Sequence, residues 1–590
     1  MILQSLYNLY LRRQDELPPE GFEQKEIPFL IILDHVGNFV GLQDTRTPSG
    51  KKLVAKPFRV PKETGRSGKN AWQVANLLWD HYGYVLGWPK SESDSDKEMA
   101  QKQHGMFVSR VEAIVAEYPN DRGVQAVHSF LTSDELQKVF QHPAWQECKK
   151  IPGCNLSFRL SDELSLVCEN ENVRVFVANS SEAEDDDDDS TIAPEIEGIC
   201  LVTGERTSII RLHPRTPILG AKSNAKIVSF QKSMGFDSYG KLQSYNAPTS
   251  KRAAFAYTTV LNHMLAKGSR QKLMVGDTTT VFWAEKKNQM EDIFADLFGE
   301  PAKENPDQLN AAVQSLFEAP KTGAPPLEDD YTRFYVLGLA PNAARIAVRF
   351  WQAGTVGETA RHIRQHFDEI NITHSQQARE HLSIMTLLKA TVPTSNKYPY
   401  GDPDKIPPNL GGDFMKAILA GTSYPQTLLA AAVRRVRAER EVSYPRAALI
   451  KAFLSRETRL RYSEKNEKEV GMSLDSGNTN AGYRIGRLFA VLEKIQEEAS
   501  PGINATIRDR FYGAASSTPV TAFPHLMKLK NHHLGKLENR GRAVNMEKLI
   551  GEIMDGVSDF PTHLSLQDQG RFAVGYYHQR QDFFTKKENQ

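Results

Sequence analysis

KKLVAKPFRVPKETGRSGKNAWQVANLLWDHYGYVLG, residues 51–87, is the stretch on which the reading of the fold turns. Its first half, residues 51–69, carries Lys51, Lys52, Lys56, Arg59, Lys62, Arg66 and Lys69 against one acid, Glu63. Pro57, Pro61, Gly65 and Gly68 interrupt any helix or central strand, so this half reads as an exposed, partly extended loop. The second half, residues 72–79, is apolar and aromatic and can anchor the loop's base in a core. A basic, glycine-containing loop on a rigid footing can approach a phosphate backbone closely. A solvated surface loop explains the same charges, because basic runs only suggest nucleic acid.

Upstream, residues 28–33 (PFLIIL), the turn at 34–38 and residues 39–42 read as strand, turn and strand, with the basic loop continuing that sheet. Ile2, Leu3, Leu6, Tyr7 and Tyr10 fit one face of a first helix. Downstream, residues 91–102 read as polar loop, 105–128 and 133–139 as helix, and 156–176 as two more strands. Five consecutive aspartates at 185–189 read as a solvated loop tip, since adjacent like charges do not converge without a templating metal.

Between residues 200 and 284, the β-branched and aromatic runs at 209–212, 227–230 and 278–283 read as strands, and 250–265 reads as a helix capped near Thr249 or Ser250. Polar loops at 220–226 and 237–244 hold hydrogen-bond donors, among them Lys222, Ser223, Asn224, Lys241, Gln243 and Asn246. The Pro-, Gly- and acid-rich residues 300–330 read as a connector. Residues 334–340 read as a strand, followed from Pro341 by a helix carrying Arg345 and Arg349 one turn apart. Residues 426–440 and 444–459 are amphipathic helices, and the last 120 residues are helical in pattern with short links, as in an antiparallel bundle. The expected class is therefore α+β: a mixed N-terminal region with antiparallel sheet, a helical region, and a C-terminal antiparallel helical bundle. The expected domains are 1–325, 326–471 and 472–590.

At 590 residues several domains are expected, and 40% apolar content is enough to build their cores. No run of about 18 apolar residues suggests a membrane span, and the N-terminus lacks a basic leader with a cleavage site. Four cysteines, Cys148, Cys154, Cys168 and Cys200, show no zinc spacing and read as buried free thiols of a cytoplasmic protein. With 73 Lys and Arg against 72 Asp and Glu, any attraction to polyanions must come from local patches.

No catalytic motif is legible. GRSGKN falls short of a phosphate-binding P-loop, because Glu63 stands where its first glycine belongs and Asn70 follows the lysine. No catalytic residue, cofactor or metal ligand is assigned. The alternative is a nucleic-acid-processing enzyme, a nuclease whose basic loop holds phosphate.

Several successive stretches carry a resemblance: MILQSLYNLY, the basic loop leading to NLLWDHYGYVLG, GAKSNAKIVSFQ, YGKLQSYNAPTSKRAAFAYTTVLN, GDTTTVFWA, FYVLGLAPNAARIAVRFW, YPQTLLAAAVRRVRAE and YPRAALIKAFLSR. In this order, over essentially the whole chain, they resemble the large subunit of type I-C CRISPR surveillance complexes (Cascade), a Csd-type Cas protein. The resemblance implies a non-enzymatic subunit of an RNA-guided complex. Such a subunit recognises the protospacer-adjacent motif (PAM) in duplex DNA, promotes strand separation and R-loop formation, and helps recruit a helicase–nuclease for antiviral defence. Implied partners are CRISPR RNA, target double-stranded DNA, the backbone subunits, the subunit at the crRNA 5'-handle, and a small subunit from the same gene. Guide pairing then reads the target while the protein needs only a short duplex contact.

On that reading, phosphate contacts fall to Arg59, Lys62, Arg66 and Lys69. Base reading falls to Asn70, Gln73 and Asn76, with Lys222, Ser223 and Asn224 second, because amide side chains suit adenine edges. Asn76 also reads as a hydrogen-bonded terminus of a helix or strand. Arg484, Arg487, Lys528 and Lys530 are candidates for a groove holding the displaced strand, or for a solvated bundle face. Residues 467–472, EKEVGM, can be encoded with a strong bacterial ribosome-binding site just before an ATG. In the family that this chain resembles, the small subunit arises from an internal start, so Met472 is the expected start of a separately made 472–590 product.

Overall fold

The computed structural model describes all residues except 50, 51, 65, 67–69, 181–195, 223, 232–234, 236–239, 302, 303, 306, 319–326, 328, 329, 344, 462–469 and 585–590. Lys51, Lys69, Ser223, the five aspartates at 185–189 and residues 467–469 therefore lie outside the described residues. The rest divides into two compact units. The first holds Leu3–Pro214 and Ser229–Leu261; the second holds Arg215–Val228 and Asn262–Gln590.

In the first unit, helix α1 (Ile2–Arg12) buries Leu6 and Leu9, as its apolar spacing predicts. Strands β1 (Phe22–Glu26), β2 (Phe29–Leu33) and β3 (Phe39–Asp44) follow, with β2 wholly buried. The β2–β3 turn closes on Asp34, whose Oδ1 accepts from Val36 N at 2.9 Å and Asn38 N at 2.8 Å. These bonds, first that from the Asn38 side chain, hold the Asp34 carboxyl below its usual range. Strands β4 (Thr47–Ser49) and β5 (Lys52–Val54) form a hairpin, and β6 (Pro57–Pro61) pairs antiparallel with β1. The basic stretch thus forms two ribbons of its own and does not continue the β2–β3 sheet, because Pro57 and Pro61 confine β6 to a narrow ribbon.

The main sheet is completed by β7 (Trp79–His81) and β8 (Asn155–Leu160), in the order β3-β2-β8-β7. Its central pair, β2–β8, runs parallel and the other pairs antiparallel. The short helix α2 (Tyr82–Val85) leads to α3 (Asp94–Glu117), α4 (Arg122–Thr132), α5 (Glu135–Gln141) and α6 (Trp145–Cys148). Phe107 of α3 and Phe130 of α4 pack on Phe158 of β8. The polar run at 91–102, expected as loop, is largely the start of α3. Ser93 caps it, accepting from Asp96 N at 3.2 Å, and Asp94 and Asp96 favour its positive end.

The second strand expected within 156–176 is also absent: those residues lead into helix α7 (Glu171–Ser180). A short ribbon of β9 (Glu197–Ile199) and β10 (Arg206–Ser208) precedes α8 (Lys251–Leu265), in which the unit boundary falls. Ser250 Oγ accepts from Ala253 N at 3.1 Å, the expected cap. The runs at 209–212 and 227–230 are not strands, and only single bridges form, at Ile209 and Lys226. All four cysteines are buried free thiols, as their spacing suggested.

The second unit is built on an antiparallel sheet of β11 (Lys272–Val275), β12 (Thr278–Ala284), β13 (Arg333–Asn342) and β14 (Arg345–Thr355), in that order. Residues 300–330 hold helix α10 (Gln308–Glu318) after α9 (Met290–Phe298). The helix expected after Pro341 is instead strand β14, which places Arg345 and Arg349 on a β-hairpin. Helix α11 (Val356–Ile370) starts only after Thr355, which forms a capping box with Glu358.

Then come α12 (Ile384–Lys389), α13 (Leu410–Ala420), α14 (Gln426–Glu439) and α15 (Tyr444–Arg461). A buried cluster ties α11, α13 and α15 together. Glu369 accepts from Arg456 Nε at 2.6 Å and Arg459 Nε at 3.1 Å, while Arg456 lies 3.9 Å over the Tyr424 ring. Lys451 Nζ, 1% exposed, donates to the carbonyls of Glu369 at 2.9 Å and Asn371 at 2.7 Å, closing the end of α11.

Helices α16 (Ala481–Ala499), α17 (Ile507–Ser517), α18 (Pro519–Lys536), α19 (Arg540–Met554) and α20 (Leu566–Phe584) complete the unit. Successive helices alternate in direction. Thr506 before α17 bonds Glu493 late in α16, Arg542 early in α19 bonds Glu498, and Arg484 early in α16 bonds Ile553 late in α19. The first and fifth helices therefore run parallel. They approach closely at two glycines: a Cβ on Gly486 would sit 2.1 Å from Phe572 O, and one on Gly575 2.2 Å from Tyr483 O. These helices share one hydrophobic core with α14, α15 and the sheet.

Candidate nucleic-acid interface

The stretch between β6 and β7 is an exposed loop closed tightly at its base. Lys62 N donates to Gly21 O at 2.8 Å, and Trp79 Nε1 donates to Pro61 O at 2.8 Å. Asn76 Oδ1 accepts from Thr64 N at 3.1 Å across the loop, and Tyr84 OH donates to Ala71 O at 3.0 Å. Arg66 binds Asp80 through both terminal nitrogens, donates from Nε to Val74 O at 2.7 Å, and lies 4.2 Å over the Tyr84 ring. Asp80, 1% exposed, also accepts from Asn76 N at 3.0 Å and His81 N at 2.8 Å. Beside it, Leu78 holds the left-handed region at φ 60, an unfavourable state for a leucine that the surrounding bonds impose.

This geometry sorts the expected residues. Arg66 and Asn76 are committed to the loop's base: one clamps the buried carboxylate and the other, 2% exposed, bridges the loop, so neither faces outward. Asn76 is hydrogen-bonded, as expected on the alternative to base reading, but it stands in the loop between the 3-10 turn and β7 and not at a helix or strand terminus. Lys62, Asn70 and Gln73 are exposed, and Asn70–Gln73 sit on a short 3-10 turn over Ala71–Gln73. Arg59 is half-buried on β6 and donates from Nη2 to Asp15 O at 2.9 Å. Lys56 is exposed, with its ammonium 5.2 Å from the Phe58 ring centre. The lone acid of the stretch, Glu63, pairs with Lys25 Nζ at 2.6 Å, so it does not offset the exposed cations. A pinned base with an exposed lysine and exposed amides can hold phosphates while offering donors and acceptors to base edges.

The second set lies in the other unit. Lys222 and Asn224 are exposed on the Arg215–Val228 segment. A signal missed in the sequence surrounds them: between residues 206 and 276 there are twelve Lys and Arg and one acid, Asp237. Not all of these cations are outward. Lys272 Nζ caps the end of α8 through Leu265 O and Ala266 O, both at 2.8 Å, and Arg211 Nη1 donates to Gln243 at 2.8 Å.

The four residues expected to line a displaced-strand groove are not equivalent. Arg487 is 3% exposed and donates to Gln579 Oε1 at 3.1 Å, and burial pushes its pKa down. Arg484 donates from Nε to Asn478 O at 2.7 Å in the loop before α16, and from Nη1 to Ile553 O at 3.3 Å, closing the end of α19. These two arginines belong to the bundle's interior and its helix ends, because they stand on the row of α16 that faces α20 and α19. Lys528 is exposed, while Lys530 is 13% exposed and 3.5 Å from Glu547. Helix α18, which carries both, contains no acid.

Among the described residues, no three His, Cys, Asp or Glu side chains gather as a cation-holding group. No helix among them is long and apolar enough to cross a membrane. A search of curated proteins finds no match. A family model described as CRISPR-associated protein (Cas_Csd1) matches residues 3–584, nearly the whole chain, and the protein belongs to that family of CRISPR-associated proteins.

Proposed function

We propose that this protein is the non-catalytic large subunit of a type I-C RNA-guided surveillance complex, acting in the cytoplasm. It recognises the protospacer-adjacent motif in duplex DNA, promotes strand separation and R-loop formation, and helps recruit a helicase–nuclease. Its other partners are CRISPR RNA, the backbone subunits, the 5'-handle subunit and the small subunit. The observation that supports this most is the loop of 62–76: Lys62 stands exposed beside β6, and Asn70 and Gln73 on a short turn, over a base locked by Arg66, Asp80, Asn76 and Trp79. Locking limits the conformational entropy lost on binding. Cations then place the duplex while amides distinguish its base edges.

The test is competition between duplex targets that differ only in the trinucleotide flanking the guide-paired segment. Asn70→Ala and Gln73→Ala should each flatten the wild-type preference, by about 1–3 kcal/mol of discrimination for a lost bidentate contact. Variants that keep the full preference would remove this loop from base reading.

We also infer that residues 472–590 are made separately from Met472. In support, five helices that alternate in direction start shortly after this residue, and Met472 is 52% exposed. Expression of the intact gene should give a second, C-terminal product, lost on silent changes in codons 468–470. A single full-length product from the unaltered gene would contradict the inference.

A further inference from the structure

The Arg215–Val228 segment of the second unit is a rigid turn with an apolar tip. Thr216 N donates to Ala225 O at 2.8 Å, Ala221 N to Ile218 O at 3.2 Å, and Ala225 N to Lys222 O at 3.0 Å. The turn is fixed to the sheet by Lys222 N donating to Ala343 O at 3.2 Å and by a parallel bridge between Lys226 and Arg345. Asn262 Nδ2 holds its first residue, donating to Arg215 O at 3.1 Å. Gly220 takes φ +83, and a Cβ there would lie 3.3 Å from the Pro341 ring. Thr216, Ile218 and Ala225 point inward, at 0%, 8% and 0% exposure, which leaves Leu219 77% exposed at the tip.

A single exposed leucine is ordinary. The surroundings of this one are not: Arg215, Lys222 and Asn224 are exposed on the same turn, and residues 215–228 hold three Lys and Arg and no acid. Cations at this density favour a polyanion. An apolar tip gains nothing from the phosphate exterior of a duplex; on a nucleic acid its apolar surface is covered only by the face of a base. Inserting a side chain between paired, stacked bases costs a few kcal/mol per step, and the cost is least where the base is already unpaired.

We propose that this turn is a second nucleic-acid contact, one that takes an unpaired nucleotide of a single strand. Leu219 packs on the exposed base, Arg215 and Lys222 hold the neighbouring phosphates, and Asn224 hydrogen-bonds to the base edge. This assignment rests on the reading of the chain as a nucleic-acid-binding subunit, but uses residues different from those of the 62–76 loop.

The experiment uses the full-length protein with a short single-stranded DNA carrying 2-aminopurine, and with the same sequence as a duplex. Leu219→Ser should weaken single-strand binding about five- to tenfold and abolish the 2-aminopurine signal, with the salt dependence unchanged. Lys222→Glu should weaken binding and flatten the salt slope by about 0.7 for the lost phosphate contact. Leu201→Ser, which removes an equally apolar side chain that is 69% exposed in the other unit, should do neither. All three positions are exposed, so folding is expected to hold, and the thermal midpoint checks it.

The assignment is overturned if Leu219→Ser binds single strands as the wild type does, if it weakens the duplex equally, or if Leu201→Ser has the same effect. The flanking-motif preference of Asn70 and Gln73 is read on duplex targets, so either reading can fail while the other stands. A protein that binds neither form of DNA overturns both.

Discussion

Asp80→Ala is expected to destabilise the first unit by about 3 kcal/mol, the lower end of the cost of breaking a buried ion pair from one side. The size follows from what the carboxylate holds. It accepts from Arg66, from Asn76 N and from His81 N, and it is 1% exposed. Removing it leaves a largely buried guanidinium and two backbone N–H groups without their acceptor. The 62–76 loop loses its clamp in the same step, so duplex binding should fall with stability.

Urea unfolding measures the first effect. A double variant, Arg66→Met with Asp80→Leu, separates charge from packing. It should recover most of the stability, because removing both partners leaves no charge unpaired. It should not recover DNA binding to the same degree, since the hydrogen bonds that set the loop are still missing. A midpoint for Asp80→Ala within error of the wild type would show that the clamp is not what holds this loop.

Reversing the outward charge should have the second large effect, on binding and not on folding. Arg59→Glu with Lys62→Glu changes one half-buried cation that donates to the exposed Asp15 carbonyl at 2.9 Å, and one exposed cation. The assembled complex should bind duplex targets about 100-fold more weakly at physiological salt, with a salt slope flatter by about 0.9 for each lost phosphate contact. The stability cost should be about 1 kcal/mol, that of one exposed hydrogen bond. A protein that contacts only RNA and other subunits at this surface would show unchanged target binding in the same variant.

The sequence shows most clearly those features that local chemistry decides. The first helix, the β2–β3 hairpin around Asp34, and α14, α15 and the C-terminal helices all follow from periodicity and turn residues. Less legible were elements decided by distant partners. Residues 345–355 have the apolar spacing of either a helix or a strand, and pairing with β13 makes them a strand. Residues 227–230 are as β-branched as a strand, but no neighbour gives them a ladder.

The site followed the same division. Composition located the basic loop, but an arginine's type does not say whether it faces solvent or Asp80, and only the fold directs Arg66 inward. For Arg487 the pattern did hold a clue. It falls one helical turn from the buried Tyr483 and Val491, on a row that α16 turns towards the core. The acid-poor stretch at 206–276 was also readable in advance, as a charge asymmetry in a chain whose overall charge is close to zero.

The central claim is that the first unit reads a short duplex motif beside the guide-paired segment. Its most direct measurement is the affinity of the assembled complex for targets that share the guide-paired segment and differ only in the flanking trinucleotide. A preference spanning at least about tenfold among trinucleotides, lost in Asn70→Ala and Gln73→Ala while the wild type retains it, is the expected result. Equal affinity for every flanking trinucleotide would contradict the account.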